Sequence, residues 1–193
     1  MAGDGLFYVA DLHKKIDCFL TDSVENATVW DHLVSLKVTC FVWRTAIGRI
    51  PVAVELAKRS IPLNSTLCHF CNVGVEDCNH LFIECPIAKE VLEWVFNWCK
   101  IDSKRFDSIG ELISFAADWG RCPKKRRILL AVFYGFLWSI WKARNDCVFN
   151  RKKATIAGIT DNVCTLVFDW VKHRGSFANC NWANWICSPF NIL

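Results

Sequence analysis

Cys68, Cys71, His80 and Cys85 stand in a C-x2-C-x8-H-x4-C spacing. Two cysteines three positions apart on a tight turn present both thiolates to one side of a cation, and zinc takes four such donors at tetrahedral corners. His80 and Cys85 supply the other half from a short helical or turn segment. A shell of three Cys and one His leaves no position for water, so the spacing points to one structural Zn2+ and away from hydrolysis. His69 and Cys78 are the rivals for the fourth corner; His80 is favoured because four residues then lead to Cys85. The HExxH pattern is absent, and the deaminase order is not met because here the CxxC comes first. Asn72 and Gly74 follow the pair, where left-handed backbone is expected and both residue types tolerate it.

The chain has 12 cysteines in 193 residues. At about 6% this is below the density of a disulfide scaffold. No basic stretch followed by an apolar run opens the sequence, so no signal peptide is expected and the thiols should be reduced. The eight cysteines outside the zinc set, among them Cys18, Cys40, Cys147 and Cys164, are expected in the core.

Around the cysteine loop the pattern is helical. Phe7-Tyr8-Val9 reads as a short strand and Asp11 as the cap of a helix through Leu20. Val38, Phe41, Val42 and Thr45 recur at helical spacing within Leu33 to Ile47, and Gly48 follows as a stop. Pro51 opens a helix through Lys58, and residues 62 to 79 have no periodicity. Pro86 starts an amphipathic helix with Ala88, Val91, Leu92, Val95, Trp98 and Cys99 on one side. Asp107 or Ser108 caps a helix to Trp119, Pro123 begins the longest helix, to about Asn150, and Ala154 to Lys172 forms another before a Trp-rich tail at 181–185. Inside the longest helix, Ile128 to Trp141 is apolar all round, yet its 14 residues fall short of the roughly 20 that cross a bilayer. It reads as a buried core helix with no membrane role. The expected fold is mainly α, a bundle-like helical unit with a small irregular zinc-binding loop and at most a short hairpin. Residues 1–100 form a zinc-binding unit and 101–193 a helical extension packed on it.

The segments GDGLFYVADL, WDHLVSLKVTCFVWRTAIGRIPVAVELAKRSI and CHFCNVGVEDCNHLFIECPIAKEVLEWV together resemble the zinc-binding domain behind the reverse transcriptase of plant LINE-type (non-LTR) retrotransposons. The likeness covers about residues 4 to 98. Glu76 ahead of His-Leu-Phe, the Phe41-x-Trp43-Arg44 segment and the Cys85-Pro86 helix start carry it. Trp138 to Asn145, through Phe149, resembles the Trp-x-Ile-Trp-x-x-Arg-Asn block that commonly follows. The resemblance implies Cys68, Cys71, His80 and Cys85 as the metal ligands, a reverse transcriptase domain in the parent polyprotein, and work on RNA or DNA. Asn72 stands where the family often has Gly, and Asp77 where Ser or Thr is usual; neither is expected to touch ligation.

Catalysis is not expected. A polymerase holds two metal ions with paired acids, and the chain contains no Asp-Asp. It has no Gly-rich phosphate loop, no GxSxG, and after residue 150 none of the spread carboxylates of a ribonuclease H. Glu76, Asp77 and Glu84 beside the zinc loop read as solvated surface charge.

Charge is unevenly laid out. Residues 121–153 carry ten basic groups against one acid, Asp146, a net +9 that leaves −5 for the rest of a chain of net +4. Lys124, Lys125, Arg126 and Arg127 sit at one end of the long helix and Arg151, Lys152 and Lys153 at the other, with Lys142 and Arg144 between. These nine are the candidate nucleic-acid contacts, whose affinity would be salt-sensitive and indifferent to base sequence. Trp182 and Trp185 read as core or interface aromatics before base-stacking ones. The expected function is a non-catalytic zinc-binding accessory domain acting on RNA or DNA, in an intracellular and nuclear setting. The alternative is a zinc-stapled protein-interaction module, or a decayed element fragment, that binds no nucleic acid.

Overall fold

The computed structural model describes residues 28–175 and 180–193. The strand at Phe7–Val9, the helix from Asp11 and the placement of Cys18 lie outside them. Among the described residues, seven α-helices follow in order: α1 (Leu36–Ala46), α2 (Ala53–Lys58), α3 (Pro86–Cys99), α4 (Ile109–Asp118), α5 (Pro123–Asn150), α6 (Ile156–Arg174) and α7 (Trp182–Cys187), with a π-helical turn at His80–Glu84. Among the described residues there is no strand, only an isolated antiparallel bridge between Leu67 and Val75. The mainly α expectation holds, and the single bridge stays within the bound of at most a short hairpin.

Local chemistry explains most boundaries. Pro86 and Pro123 sit at the first helical positions of α3 and α5, where a missing N–H costs nothing. Ser108 Oγ accepts from the Glu111 N–H at 3.2 Å, and Thr155 Oγ1 accepts from the Gly158 N–H at 3.2 Å, capping α4 and α6. Pro51 does not open α2, however; Val52 is its N-cap. The Trp-rich tail is itself helical, because Asn181 Oδ1 accepts from the Ala183 N–H at 2.8 Å and starts α7.

α5 is the axis of the molecule. Every residue from Ile128 to Leu137 is buried, as a helix apolar on all sides requires. α1, α3, α4 and α6 pack around it, and α7 closes on α6. Gly135 permits the α5–α6 approach, since a Cβ there would overlap Val167 Cγ2. Trp185 is fully buried; its indole N–H donates to Cys164 O at 3.0 Å and its carbonyl accepts from Trp98 Nε1 at 3.1 Å. It is therefore a core residue, as expected. No described helix is long and apolar enough to cross a membrane.

Two expectations about cysteines are corrected. Cys122 and Cys187 are exposed rather than core, because each lies at a helix end instead of on an apolar face.

Candidate metal centre

The knuckle is built by a reversal of the chain between Thr66 and Glu76. Glu76 N–H donates to Thr66 O and Cys68 N–H to Gly74 O, each at 2.8 Å. Asn72, at φ +57°, takes the left-handed position, and its N–H donates to Cys68 O at 2.8 Å. Gly74 serves a different need from the expected one, since its backbone is not left-handed. A Cβ there would overlap the His80 imidazole, so glycine is required for the ring to lie against the chain.

His80 and Cys85 are five residues apart, which on an α-helix would leave them about 140° out of line. The π-helical turn removes that problem. Cys85 N–H donates to His80 O at 2.7 Å, an i to i+5 bond that stacks the two residues on one side. Asp77 Oδ1 accepts from the His80 N–H at 2.7 Å and caps the turn. Asp77 is not among the ligand atoms, as expected; it acts only as the short polar cap of the segment carrying His80. Cys85 is also the N-cap of α3, where a negative sulfur meets the positive end of the helix.

The four ligand atoms lie within 4.8 Å of one another. Cys68 Sγ is 3.9 Å from Cys85 Sγ and Cys71 Sγ is 3.3 Å from His80 Nε2. A tetrahedron with Zn–S of about 2.3 Å has S···S edges of about 3.8 Å, so the donor set fits one zinc. The Cys68 thiol donates a hydrogen bond to the Cys85 sulfur. Their hydrogen bond, with burial, pushes Cys68 up. The same bond, together with the Ala88 and Ile87 N–H groups of α3, outweighs burial and holds Cys85 down. A bound dication displaces such protons and keeps the sulfurs as thiolates.

The two rival ligands are occupied elsewhere. His69 Nδ1 lies 3.3 Å from Glu76 Oε2. Cys78 stands outside the cluster, its thiol pushed up to about 12 by burial and by the nearby carboxylates of Asp77 and Glu55.

Glu76 is the residue the sequence misplaces most. It is fully buried, and Arg144 is only 4% exposed, so neither the solvated acid nor the nucleic-acid arginine is where charge count alone put it. Arg144 Nη2 donates to Glu76 Oε1 at 2.6 Å, and Nε reaches Oε1 and Oε2 at 3.1 and 3.3 Å. Glu76 Oε1 also accepts the Ala53 N–H at 3.0 Å. One carboxylate thus ties the knuckle to α2 and α5. Burial would raise its proton affinity, but Arg144, the Ala53 N–H and His69 outweigh that and hold it below the usual carboxylate value. Asp77 and Glu84 are exposed, as expected.

The basic quartet also divides. Arg127 is bound to Asp31, Nε to Oδ2 at 2.6 Å and Nη2 to Oδ1 at 2.9 Å. Arg126 Nη1 reaches Ala117 O at 3.5 Å. These two arginines are committed to packing, whereas Lys124 and Lys125 are exposed, with Lys125 Nζ 5.7 Å from the Phe190 ring centroid. Lys142, Arg151, Lys152 and Lys153 are exposed as well. From Lys124 to Arg151 the helix runs about 40 Å, so the clusters at its two ends form separate surfaces.

Fold and site together define a helical domain with a Cys3His cluster that fits one structural zinc. Residues 8–92, somewhat under half of the chain, match the model of the family described as zinc-binding in reverse transcriptase. No curated protein matches the chain, and no solved structure does.

Proposed function

We propose that the chain is a non-catalytic accessory domain from the polyprotein of a plant LINE-type (non-LTR) retrotransposon, working in the nucleus on RNA or DNA beside a reverse transcriptase. The observation that carries this reading is the match of residues 8–92 to the reverse-transcriptase zinc-binding family, on a segment whose four ligands converge. All four zinc positions are filled by protein donors, which supports a structural ion with no site for an activated water. Exposed Lys124 and Lys125 at one end of α5, and Arg151, Lys152 and Lys153 at the other, supply phosphate-binding charge.

Fluorescence anisotropy with labelled RNA and DNA, titrated with salt, tests the nucleic-acid role. Affinity should fall steeply as salt rises; undetectable binding at low salt overturns it. A protein-docking module is the second reading, and the knuckle rim favours it. Val73 is 82% exposed, with Val75 and Leu67 beside it at 51% and 42%, and exposed apolar patches mark partner surfaces. Absence of nucleic-acid binding in the anisotropy assay selects that reading.

A further inference from the structure

Beside the zinc centre lies a groove that ligation does not require. His69 and Phe70, carried between the ligands Cys68 and Cys71, form one wall, and Arg151, Lys152 and Lys153 from the α5–α6 turn form the other, around a volume of about 410 Å³. No carboxylate lines it among the described residues. A second cleft of about 200 Å³ shares Lys152 and Lys153 and continues past Lys142. Its one acid is Asp146, whose Oδ2 stands 3.8 Å from Lys152 Nζ in an exposed, loose pair. The two clefts thus share the basic edge of Lys152 and Lys153, and the larger has an aromatic ring at its knuckle side.

Cations at the C-terminus of α5 are stabilised by the helix dipole, which accounts for their position but not for the groove facing them. Phe70 is half-buried, and its N–H donates to Cys68 Sγ at 3.4 Å. The backbone that carries the ring is thus held by the turn that presents Cys68, and the ring packs against the core, so it loses little freedom when a ligand covers its open side.

We propose that this groove binds a single strand of nucleic acid, with a base against Phe70 and the adjoining phosphates on Arg151, Lys152 and Lys153. The assignment rests on the nucleic-acid reading above and places it at one end of α5. Single strands are selected because a base must leave its stack to reach an aromatic ring inside a concave site. Duplex DNA or RNA offers the groove phosphates only.

The test uses the zinc-loaded chain and a labelled single strand of about six nucleotides, within the site size of small single-strand binders, too short to span the about 40 Å between the two basic ends. Phe70→Leu should weaken its binding about five- to 140-fold, the range of one lost base stack. Lys152→Gln/Lys153→Gln, on exposed positions that bear no packing, should flatten the salt dependence by about 0.7 per lost phosphate contact. Lys124→Gln/Lys125→Gln should leave the short strand unaffected. Binding lost in the Lys124/Lys125 variant but kept in the Lys152/Lys153 variant overturns the groove and leaves the nucleic-acid reading standing. Equal affinity for a duplex of about 12 base pairs, unchanged by Phe70→Leu, also overturns it. No binding of either probe by the unsubstituted chain overturns both.

Discussion

Arg144→Met is the substitution that most sharply separates a buried tie from a surface charge. The methionine fills much of the arginine volume, but the Glu76 carboxylate, fully buried, keeps only the Ala53 N–H at 3.0 Å and His69 Nδ1 at 3.3 Å. Stranding one partner of a buried ion pair costs about 3–5 kcal/mol. Glu76→Leu combined with Arg144→Met removes both charges and leaves chiefly the Ala53 N–H unsatisfied, which costs about 1–3 kcal/mol. The double variant should therefore be more stable than Arg144→Met alone. Urea unfolding of zinc-saturated protein, followed by tryptophan fluorescence, measures both. The pH dependence gives a second handle. In the unsubstituted chain the Glu76 carboxyl sits below the ordinary value of 4.5, so its contribution is complete above that value and lost only as pH falls through the lower folded one. Without Arg144, burial raises the carboxyl above its ordinary value, and protonation then stabilises the folded state as pH falls. The stability gap between the two proteins should accordingly narrow from about pH 7 to about pH 5.5. A loss below about 1 kcal/mol at neutral pH, the scale of an exposed pair, would show the pair to be solvated and refute the reasoning.

Other perturbations probe separate parts of the fold. Gly74→Ala forces the chain off the His80 ring and should weaken zinc binding about 10- to 100-fold, the scale of a lost supporting contact, in competition with a chromophoric chelator; unchanged affinity contradicts the close approach. Gly135→Ala drives a methyl into Val167 Cγ2 and should cost about 1–3 kcal/mol, with Val167→Ala restoring part of it; additive losses would show that the two helices do not touch there. Cys122 is exposed, and its thiol is held down by the N–H groups of Lys125 and Lys124 and by their charges. Iodoacetamide at neutral pH should label it faster than the exposed Cys187, read peptide by peptide by mass spectrometry. Equal rates would contradict an activated thiol.

What was legible in the sequence was local. Pro86, Pro123 and Ser108 announce helices α3, α5 and α4 because capping acts within one turn, and the ligand spacing is a property of one loop. Glu76 and Arg144 are 68 positions apart, and nothing near either residue names the other. A signal was present nonetheless: Arg144 follows Leu137, Ile140 and Trp141 at helical spacing, which puts it on a buried stripe that a solvated arginine would not occupy. Asn181 ahead of Trp182 and Trp185 was likewise a cap in front of a helix, hidden because α7 has only six residues and its stability comes from burying Trp185 rather than from propensity. The π-helical turn had no local signature; it shows only in the Cys85 N–H to His80 O bond, which brings His80 and Cys85 to one side.

Cys68, Cys71, His80 and Cys85 together hold one zinc. X-ray absorption at the zinc edge, normalised to protein, measures this directly. One zinc per chain with three sulfurs at about 2.3 Å and one nitrogen at about 2.0–2.1 Å is the predicted result. An oxygen in the shell, two sulfurs in place of three, or a fully folded chain without zinc would contradict it.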